Sequence, residues 1–547
     1  MPEIPLEQAI EIAERFRSVG NREEAIRVYR QIAAAGAANP RLLNNLGICL
    51  GELNRVAEAR PVFQQAVEME PTFLEGWSNL SIACEKLNDL PAAIAARRKA
   101  IELSPQEAEH YHRLGTCLGK SGELDAALAA LRKSLELNPQ SEPAHHDYVL
   151  ALCRAKRVDE AEKALFARIE RTRRVVAEQL RPIAEMFKAA GDFQHATDLW
   201  RRAAEADPRC AEAFGQLSMC LITLGDYKDG WALYERRWDC DSFSDNSRRD
   251  PARQWGTAEV GRPDVAGKSI LIYSEQGIGD TIQFTRYAAL FARQGARVIV
   301  QCSWPVKTLL ERCAGVRLTY ASHEEVPAYD WHIPVMSLPY VFGTTVETIP
   351  AEIPYITVDP RRSKTWAARV AARDSDSRLR VGLAWAGNPK HKNDGRRSIH
   401  PDLLAPLGQI PGIAFFSLQK ANENEKAAIQ PSKLKLIDFT TSLHDFSETA
   451  ALIDQLDLVI CADTAVAHLA GALGKAVWTL LPFVPDFRWG LSGEKTPWYP
   501  TMRLFRQRRH DDWTGAIDAA AGALKDLAET ATDRSPAHRQ PSPRSAP

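Results

Sequence analysis

The sequence predicts an all-α helical-repeat solenoid followed by a module of two parallel α/β domains. Three observations predict it. An apolar pattern recurs about every 34 residues through the N-terminal part. A polar stretch at 239–267, with Pro and Gly but no periodicity, interrupts it. Beyond residue 268, short apolar strands alternate with amphipathic helices, the mark of parallel sheets covered on both faces. At 547 residues the chain is too long for one ordinary core.

The repeats come first. Residues 41–71 read RLLNNLGICLGELNRVAEARPVFQQAVEMEP. One period on stand Trp77, Asn79-Leu80, Ala93, Ala100 and Pro105; two periods on stand Tyr111, Leu114-Gly115, Ala127 and Pro139. His145, Tyr148 and Ala161 continue the series more weakly. A second register gives Ala196, Trp200, Ala203 and Pro208, then Phe214, Leu217 and Tyr234. Residues 6–40 form a looser first copy with Ala25 and Tyr29. Small residues let the two helices of a hairpin approach, large ones fill the space between hairpins, and Pro ends the second helix. One hairpin cannot bury its own apolar face, so several must stack. The pattern resembles the tetratricopeptide repeat. The resemblance implies a right-handed superhelix over residues 6–238, with a concave groove suited to peptide. A spacer or dimerisation arm is the other reading. Residues 168–182 fit the period poorly and are locally basic.

Composition narrows the function classes. The net charge of −1 gives no reason to expect nucleic acid. No apolar run reaches the ~18 residues that span a bilayer. The acidic, amphipathic start MPEIPLEQAIEIAERF is unlike a signal peptide, so a cytoplasmic location is expected. The ten cysteines contain no CxxC pair. Cys49, Cys84 and Cys117 follow the repeat, which marks them as packing residues rather than metal or disulfide partners. Cys461 reads as a packed strand residue rather than a reactive thiol. Two DxD triplets, Asp239-Cys240-Asp241 and Asp374-Ser375-Asp376, follow no strand, and no metal site is expected. The Pro/Ser/Arg-rich tail, 531–547, reads as disordered.

In the first α/β domain, 268–360, KSILIYS, ARVIVQC, VRLTY and DWHIPVM read as strands. In the second, 361–530, the strands are RVGLAWAG, GIAFFSLQ, KLKLIDFT, LDLVICA and AVWTLLP, with a last helix at 511–530. Residues 458–482 (LVICADTAVAHLAGALGKAVWTLLP) carry the most chemistry. A strand runs into Asp463-Thr464-Ala465 and then a helix of small residues, so free backbone N–H groups and a positive helix end favour an anion such as phosphate. His468 shares the helix face with Thr464 and can donate to the same anion. The turn Glu275-Gln276-Gly277-Ile278-Gly279-Asp280 follows the first strand. It is not GxGxxG, because Ile282 stands where the third glycine would be, so a dinucleotide site is not indicated. Asp280 suits either a general base or a helix cap. The loop 388–398 holds four Lys or Arg among eleven residues, which suits a diphosphate or a solvated basic loop. Gln419 ends the SLQ strand within reach of a base or sugar.

The ILIYSEQGIGD start and the CADTAVAHLAGALGKAV stretch resemble glycosyltransferase family 9, which includes heptosyltransferases. With the repeats, GDYKDGWALYERRW, WAGNPKHKNDGRRSI, SLQ and RWGLSGEKTPWYPTMRLFRQ, the likeness is closer to a subgroup that joins tetratricopeptide repeats to such a domain. The resemblance implies a GT-B fold of two Rossmann-like domains and metal-independent transfer from a nucleotide-diphosphate sugar, with no cofactor beyond that co-substrate. It places Asp280 as the base, with Gln276, Gly277 and Gly279 on the acceptor-side loop. It places Asp463, Thr464, Ala465 and His468 on the donor diphosphate, with Ala465 where the family usually has Gly. The family lysine of the second domain's first loop is matched first by Arg397 and second by Lys392. The acceptor expected is a protein hydroxyl of Ser or Thr brought by the repeats, flagellin being one case by analogy. A lipid or saccharide acceptor, and a non-catalytic nucleotide-binding scaffold, are the alternatives.

Overall fold

The computed structural model describes residues 5–172, 177–239, 250–390, 393–420 and 433–530. The chain divides into two compact units, Met1–Met186 and Phe187–Pro547.

The first unit is a run of antiparallel helical hairpins. Its helices include Leu6–Ser18 and Arg22–Ile32, Pro40–Glu52 and Val56–Met69, Leu74–Lys86 and Leu90–Leu103, Ala108–Ser121 and Leu124–Leu137, and Glu142–Arg154 and Val158–Thr172. The small residues of the repeat are the contact points. Ala25, Ala59, Ala93, Ala127 and Ala161 are at most 1 % exposed. A Cβ on Gly47 would stand 2.5 Å from the Phe63 ring, and one on Gly115 2.5 Å from Leu131. The turn within each hairpin has its own periodic residue: Gly20, Asn54, Asn88, Gly122 and Lys156 all have positive φ. Gly and Asn tolerate that conformation; Lys156 does so at a cost, in the copy where the sequence pattern weakens. Cys49, Cys84 and Cys117 are buried among these helices, as packing residues should be.

The second unit begins inside the repeats. The helices Phe193–Ala206, Ala211–Leu224 and Tyr227–Tyr234 belong to it. The last of them shares one core with the α/β part. Trp231 meets Phe284 edge-on at 5.7 Å and Phe487 at 5.8 Å, and Tyr227 stacks on Trp498 at 6.1 Å. Aromatic contacts of this kind contribute beyond the area they bury, and the second compact unit, which starts at Phe187, includes these helices. The described part of the expected linker, 250–267, is also packed. Trp255 N–H bonds the His332 carbonyl at 3.0 Å, its ring meets Phe291 at 5.0 Å, and Val265 is buried.

Two all-parallel sheets follow. The first has strands β1 (Ser269–Tyr273), β2 (Arg297–Cys302), β3 (Val316–Ala321) and β4 (Trp331–Pro334), in the order β3-β2-β1-β4. The second has β5 (Leu379–Ala384), β6 (Ile413–Ser417), β7 (Leu436–Asp438), β8 (Leu458–Ala462), β9 (Val477–Leu481) and β10 (Met502–Arg506), in the order β10-β9-β8-β5-β6-β7. Strand β10 was not foreseen: it is an edge strand carrying Arg503 and Arg506, so it lacks the continuous apolar run of a central strand. Each sheet reverses its order once, between β1 and β4 and between β5 and β8. Ligands of open α/β sheets bind outside the carboxyl ends at such points. Among the described residues, no helix is long and apolar enough to cross a membrane.

Candidate functional site

The two turns singled out in the sequence follow β1 and β8, the strands at the two reversals. Each opens a helix, Ile278–Phe284 after β1 and Ala465–Ala472 after β8, and these helices pack directly on each other. At their crossing Gly279 faces His468 and Ala465. A Cβ on Gly279 would stand 2.9 Å from His468 Cδ2 and 3.7 Å from Ala465 Cα. Only glycine fits there, and Ala465 is the small residue opposite it. The two halves thus touch where the sequence suggested a cleft.

The β1 turn is tied down. The Glu275 side chain is buried and accepts from Arg237 Nε and a terminal nitrogen at 2.9 and 2.8 Å, and from Met336 N–H at 3.0 Å. Burial raises its pKa, with Arg237 opposing. Gln276 donates to the Tyr234 hydroxyl. Gly277 is the N-cap, and its N–H donates to Asp280 Oδ2 at 3.1 Å. The other oxygen, Oδ1, accepts from Arg488 at 2.5 Å. Asp280 therefore caps its helix, as one of its two readings held, and also reaches across to the second sheet's half.

Arg488 lies in the loop after β9 and is 8 % exposed. Burial alone would weaken its charge, but the carboxylates of Asp486, Asp280 and Asp463 outweigh it and hold the guanidinium protonated. Its Nε meets Asp486 Oδ1 at 3.3 Å, an ion pair without hydrogen-bond geometry. Asp463 is buried; desolvation and Asp486 raise its pKa, while Arg488 and Arg397 oppose the rise. Thr464 is the N-cap of its helix in extended conformation, yet its hydroxyl does not cap. That hydroxyl is fully buried and unpartnered. Elsewhere Asn39, Asp89, Asp192, Asp226 and Asp445 do cap their helices through the side chain.

His468 is 1 % exposed, stacks on Trp489 at 5.4 Å and meets the Tyr499 hydroxyl through Nδ1 at 3.0 Å. Burial, with Arg488, Arg286 and Arg397 nearby, holds its pKa well below the ordinary histidine value. Arg397 reaches the turn: one terminal nitrogen donates to the Asp463 carbonyl at 3.1 Å, and Nε to Asp394 at 3.1 Å. Gly387 leaves the room, since a Cβ there would lie 2.4 Å from Arg397. Lys392 lies outside the described residues. Gln419 sits at the same edge, where its Oε1 accepts from Trp385 and Ala386 N–H at 3.0 and 2.8 Å. The structure thus brings Asp280, Arg397, Asp463, Thr464, Ala465 and His468 together.

Arg488, Trp489 and Tyr499 were missed as site residues. The signal was the RWGLSGEKTPWYP loop, aromatic residues around a lone arginine beyond a strand's carboxyl end. Two other readings resolve. Cys461 is buried and burial raises its thiol pKa, which fits a packed strand residue. Asp374 accepts from Ser377 and Arg380, a local structural turn, while Cys240 and Asp241 lie outside the described residues.

Two doubly wound parallel sheets, with facing turns at their reversal points and helical hairpins before them, define the class: a Rossmann-like α/β pair joined to a helical-repeat array. Comparison with known proteins specifies it further. Residues 409–499 match glycosyltransferase family 9 (heptosyltransferase). Residues 10–72, 50–108, 120–177 and 184–244 match tetratricopeptide repeats. The chain therefore combines tetratricopeptide repeats with a glycosyltransferase family 9 domain. The family 9 match contains Asp463, Thr464, His468, Arg488 and Tyr499, while Asp280 and Arg397 precede it. Protein FlbA of Caulobacter vibrioides is 26 % identical over 337 residues, 56 % of this chain and 54 % of that protein. The chain thus spans about half the length of that relative. Among solved structures, a MamA protein is 27 % identical with a TM-score of 0.30, covering 30 % of this chain and 90 % of that one. MamA 41-end from Desulfovibrio magneticus RS-1 is 21 % identical with a TM-score of 0.29, covering 31 % and 95 %.

Proposed function

We propose that the second unit transfers a sugar from a nucleotide-diphosphate sugar to a hydroxyl of a protein Ser or Thr, and that the repeats recruit this acceptor in the cytoplasm. One observation carries the reading. At the N-terminus of the Ala465–Ala472 helix, the Thr464 hydroxyl is a buried donor without a hydrogen-bond partner, close to Arg397, Arg488 and His468. Leaving such a group unsatisfied costs about 1–3 kcal/mol, a cost recovered when a diphosphate accepts from it.

In the step proposed, the acceptor oxygen forms a bond to the anomeric carbon as the bond from that carbon to the phosphate oxygen breaks. The hydroxyl proton passes to Asp280, and the electron pair leaves on the nucleoside diphosphate. Charge then builds on the leaving phosphate, where donors already in place at Thr464, Ala465 N–H, His468, Arg397 and Arg488 stabilise it. Neither a metal nor a further cofactor has a part in this step.

A second reading is a nucleotide-binding scaffold without turnover. It is favoured by the double engagement of Asp280, whose two oxygens both hold structural bonds. Incubation of the full chain with a panel of nucleotide sugars separates the two. The enzyme reading expects nucleoside diphosphate release that rises with acceptor protein and falls about 10²–10⁴-fold in Asp280→Asn. Binding without release in the presence of acceptor, or release unchanged by Asp280→Asn, sinks it.

A further inference from the structure

His468 is a neutral imidazole with a single ring proton to place, and its surroundings decide where. Nδ1 lies 3.0 Å from the Tyr499 hydroxyl. Nε2 lies toward the Gly279 turn, 3.5 Å from where a Cβ on that glycine would stand. If Nδ1–H donates to Tyr499, Nε2 offers a lone pair, which repels an anion. If Tyr499 donates to Nδ1, Nε2 carries the proton and can donate.

The neighbouring bonds set the direction. The Tyr355 hydroxyl donates its one proton to the Ile282 carbonyl at 3.1 Å, so toward Tyr499, 3.4 Å away, it can only accept. Tyr499 therefore keeps its proton for one of two acceptors. The imidazole nitrogen is both the nearer and the more basic. Behind them lies Arg286, 2 % exposed, with its guanidinium 4.6 Å over the Tyr499 ring and 4.5 Å over Tyr355. Its hydrogen bonds go to the carbonyls of Gln283, Pro350 and Trp498, so its charge is not quenched by a carboxylate there. A cation on the face of a phenol polarises the ring and strengthens its O–H as a donor.

We propose that Tyr499, backed by Arg286, is a positioning residue that donates to His468 Nδ1 and so keeps a proton on Nε2, making the imidazole a fixed, uncharged hydrogen-bond donor to the diphosphate of the co-substrate. The proposal rests on the reading of the Asp463–His468 turn as a diphosphate site. An uncharged donor of this kind does not switch across the pH range in which a free histidine titrates.

The test is a long-range ¹H–¹⁵N spectrum of the full chain labelled at histidine, with His468→Gln giving the assignment. The expected spectrum has a pyridine-type, hydrogen-bonded Nδ1 and a protonated Nε2, unchanged between about pH 6 and pH 8. In Tyr499→Phe the Nδ1 signal moves to that of an unbonded pyridine-type nitrogen. Affinity for whichever of ADP, CDP, GDP, TDP and UDP binds best falls about tenfold, the loss expected for one hydrogen bond to a charged group. Adding Tyr499→Phe to His468→Gln then costs no more affinity than His468→Gln alone. A protonated Nδ1 in the native chain, with nucleotide bound normally, overturns the tautomer assignment. A protonated Nε2 with none of the five nucleotides bound overturns the diphosphate reading and the role with it. The native spectrum and its assignment do not use Tyr499→Phe, so a poorly folded Tyr499→Phe does not decide the matter.

Discussion

The turns after β1 and β8 hold equivalent places in their two sheets, each at a reversal of strand order and each opening a helix, but their polar groups are used differently. In the β1 turn Glu275, Gln276 and Asp280 all have partners inside the protein: Arg237, Tyr234, and Arg488 with Gly277. In the β8 turn the Thr464 hydroxyl has none. A buried polar group with a partner holds shape; one without a partner is a cost that a folded protein tolerates where a ligand removes it. The first turn is paired within the protein and presents one carboxylate, and the second keeps a buried hydroxyl unpaired.

Arg488→Gln should break this comparison most severely, because the guanidinium serves both turns. It removes the partner of Asp280 and leaves Asp463 and Asp486 facing each other without a cation between them. Breaking a buried ion pair costs about 3–5 kcal/mol of stability, and losing one preorganised donor costs about 3 kcal/mol in the activation barrier. Urea melts and the rate of sugar transfer measure the two losses separately. A variant with native stability and native rate would remove Arg488 from the site.

Gly279→Ala tests the place where the turns touch. The new Cβ would meet His468 Cδ2 at 2.9 Å, closer than a packed core tolerates. A loss of about 1–3 kcal/mol follows from overpacking, with the imidazole pushed off its place and transfer slowed accordingly. The control is Gly277→Ala, where a Cβ would meet only Asp280 Oδ2 of its own turn, at 3.0 Å, and nothing of the opposite helix. Thermal melts of the two variants should differ. Equal losses would mean that the Gly279 contact is not what sets the approach of the two halves.

What was legible in the sequence was what is local. The repeat alanines, the strands up to β9 and the two turns each follow from a short window, and the structure places them as read. What was not legible depends on pairing across long stretches of chain. Arg488 and Asp280 are 208 positions apart, so neither residue's window shows the other. Tyr499 lies 31 positions from His468, beyond a strand and a loop. Trp255 lies in the stretch read as a linker, and its packing rests on the Phe291 and Phe342 rings, 36 and 87 positions further along the chain. The order of strands, which puts both turns at reversal points, is likewise a property of the assembled sheets and not of any segment.

The pH dependence of stability sharpens the contrast further. His468 has a folded pKa well below its unfolded value, since burial and nearby arginines exclude the charged form. The unfolded chain therefore binds a proton that the folded chain refuses once the pH falls below about 6.5. The stability tied to a neutral His468 is fully present above that pH and is lost on acidification, at about 1.4 kcal/mol per pH unit. The raised carboxyls of Asp463 and Glu275 act in the opposite sense, so the measurement is a difference. Chemical denaturation of the native chain and of His468→Gln between about pH 5 and pH 7 should give curves that diverge below about 6.5, the native chain losing more. Parallel curves would mean that the imidazole takes up its proton in the folded state.

Thr464→Val is the smallest change and the most direct probe of the β8 turn. The substitution keeps the shape and removes a hydroxyl that is buried, unpartnered and not used to cap its helix. If that hydroxyl had a structural task, its loss would cost about 1 kcal/mol or more, as deletion of a working N-cap does. With no partner to abandon, the valine variant should instead be as stable as the native chain or slightly more so, because an unsatisfied polar group has left the interior. Nucleotide affinity should move the other way and fall about tenfold, since one donor to a charged phosphate is gone. Calorimetry gives both numbers on the same protein. Only opposite signs, stability kept and affinity lost, mark a group reserved for a ligand; a joint loss would make Thr464 as structural as Glu275 in the other turn.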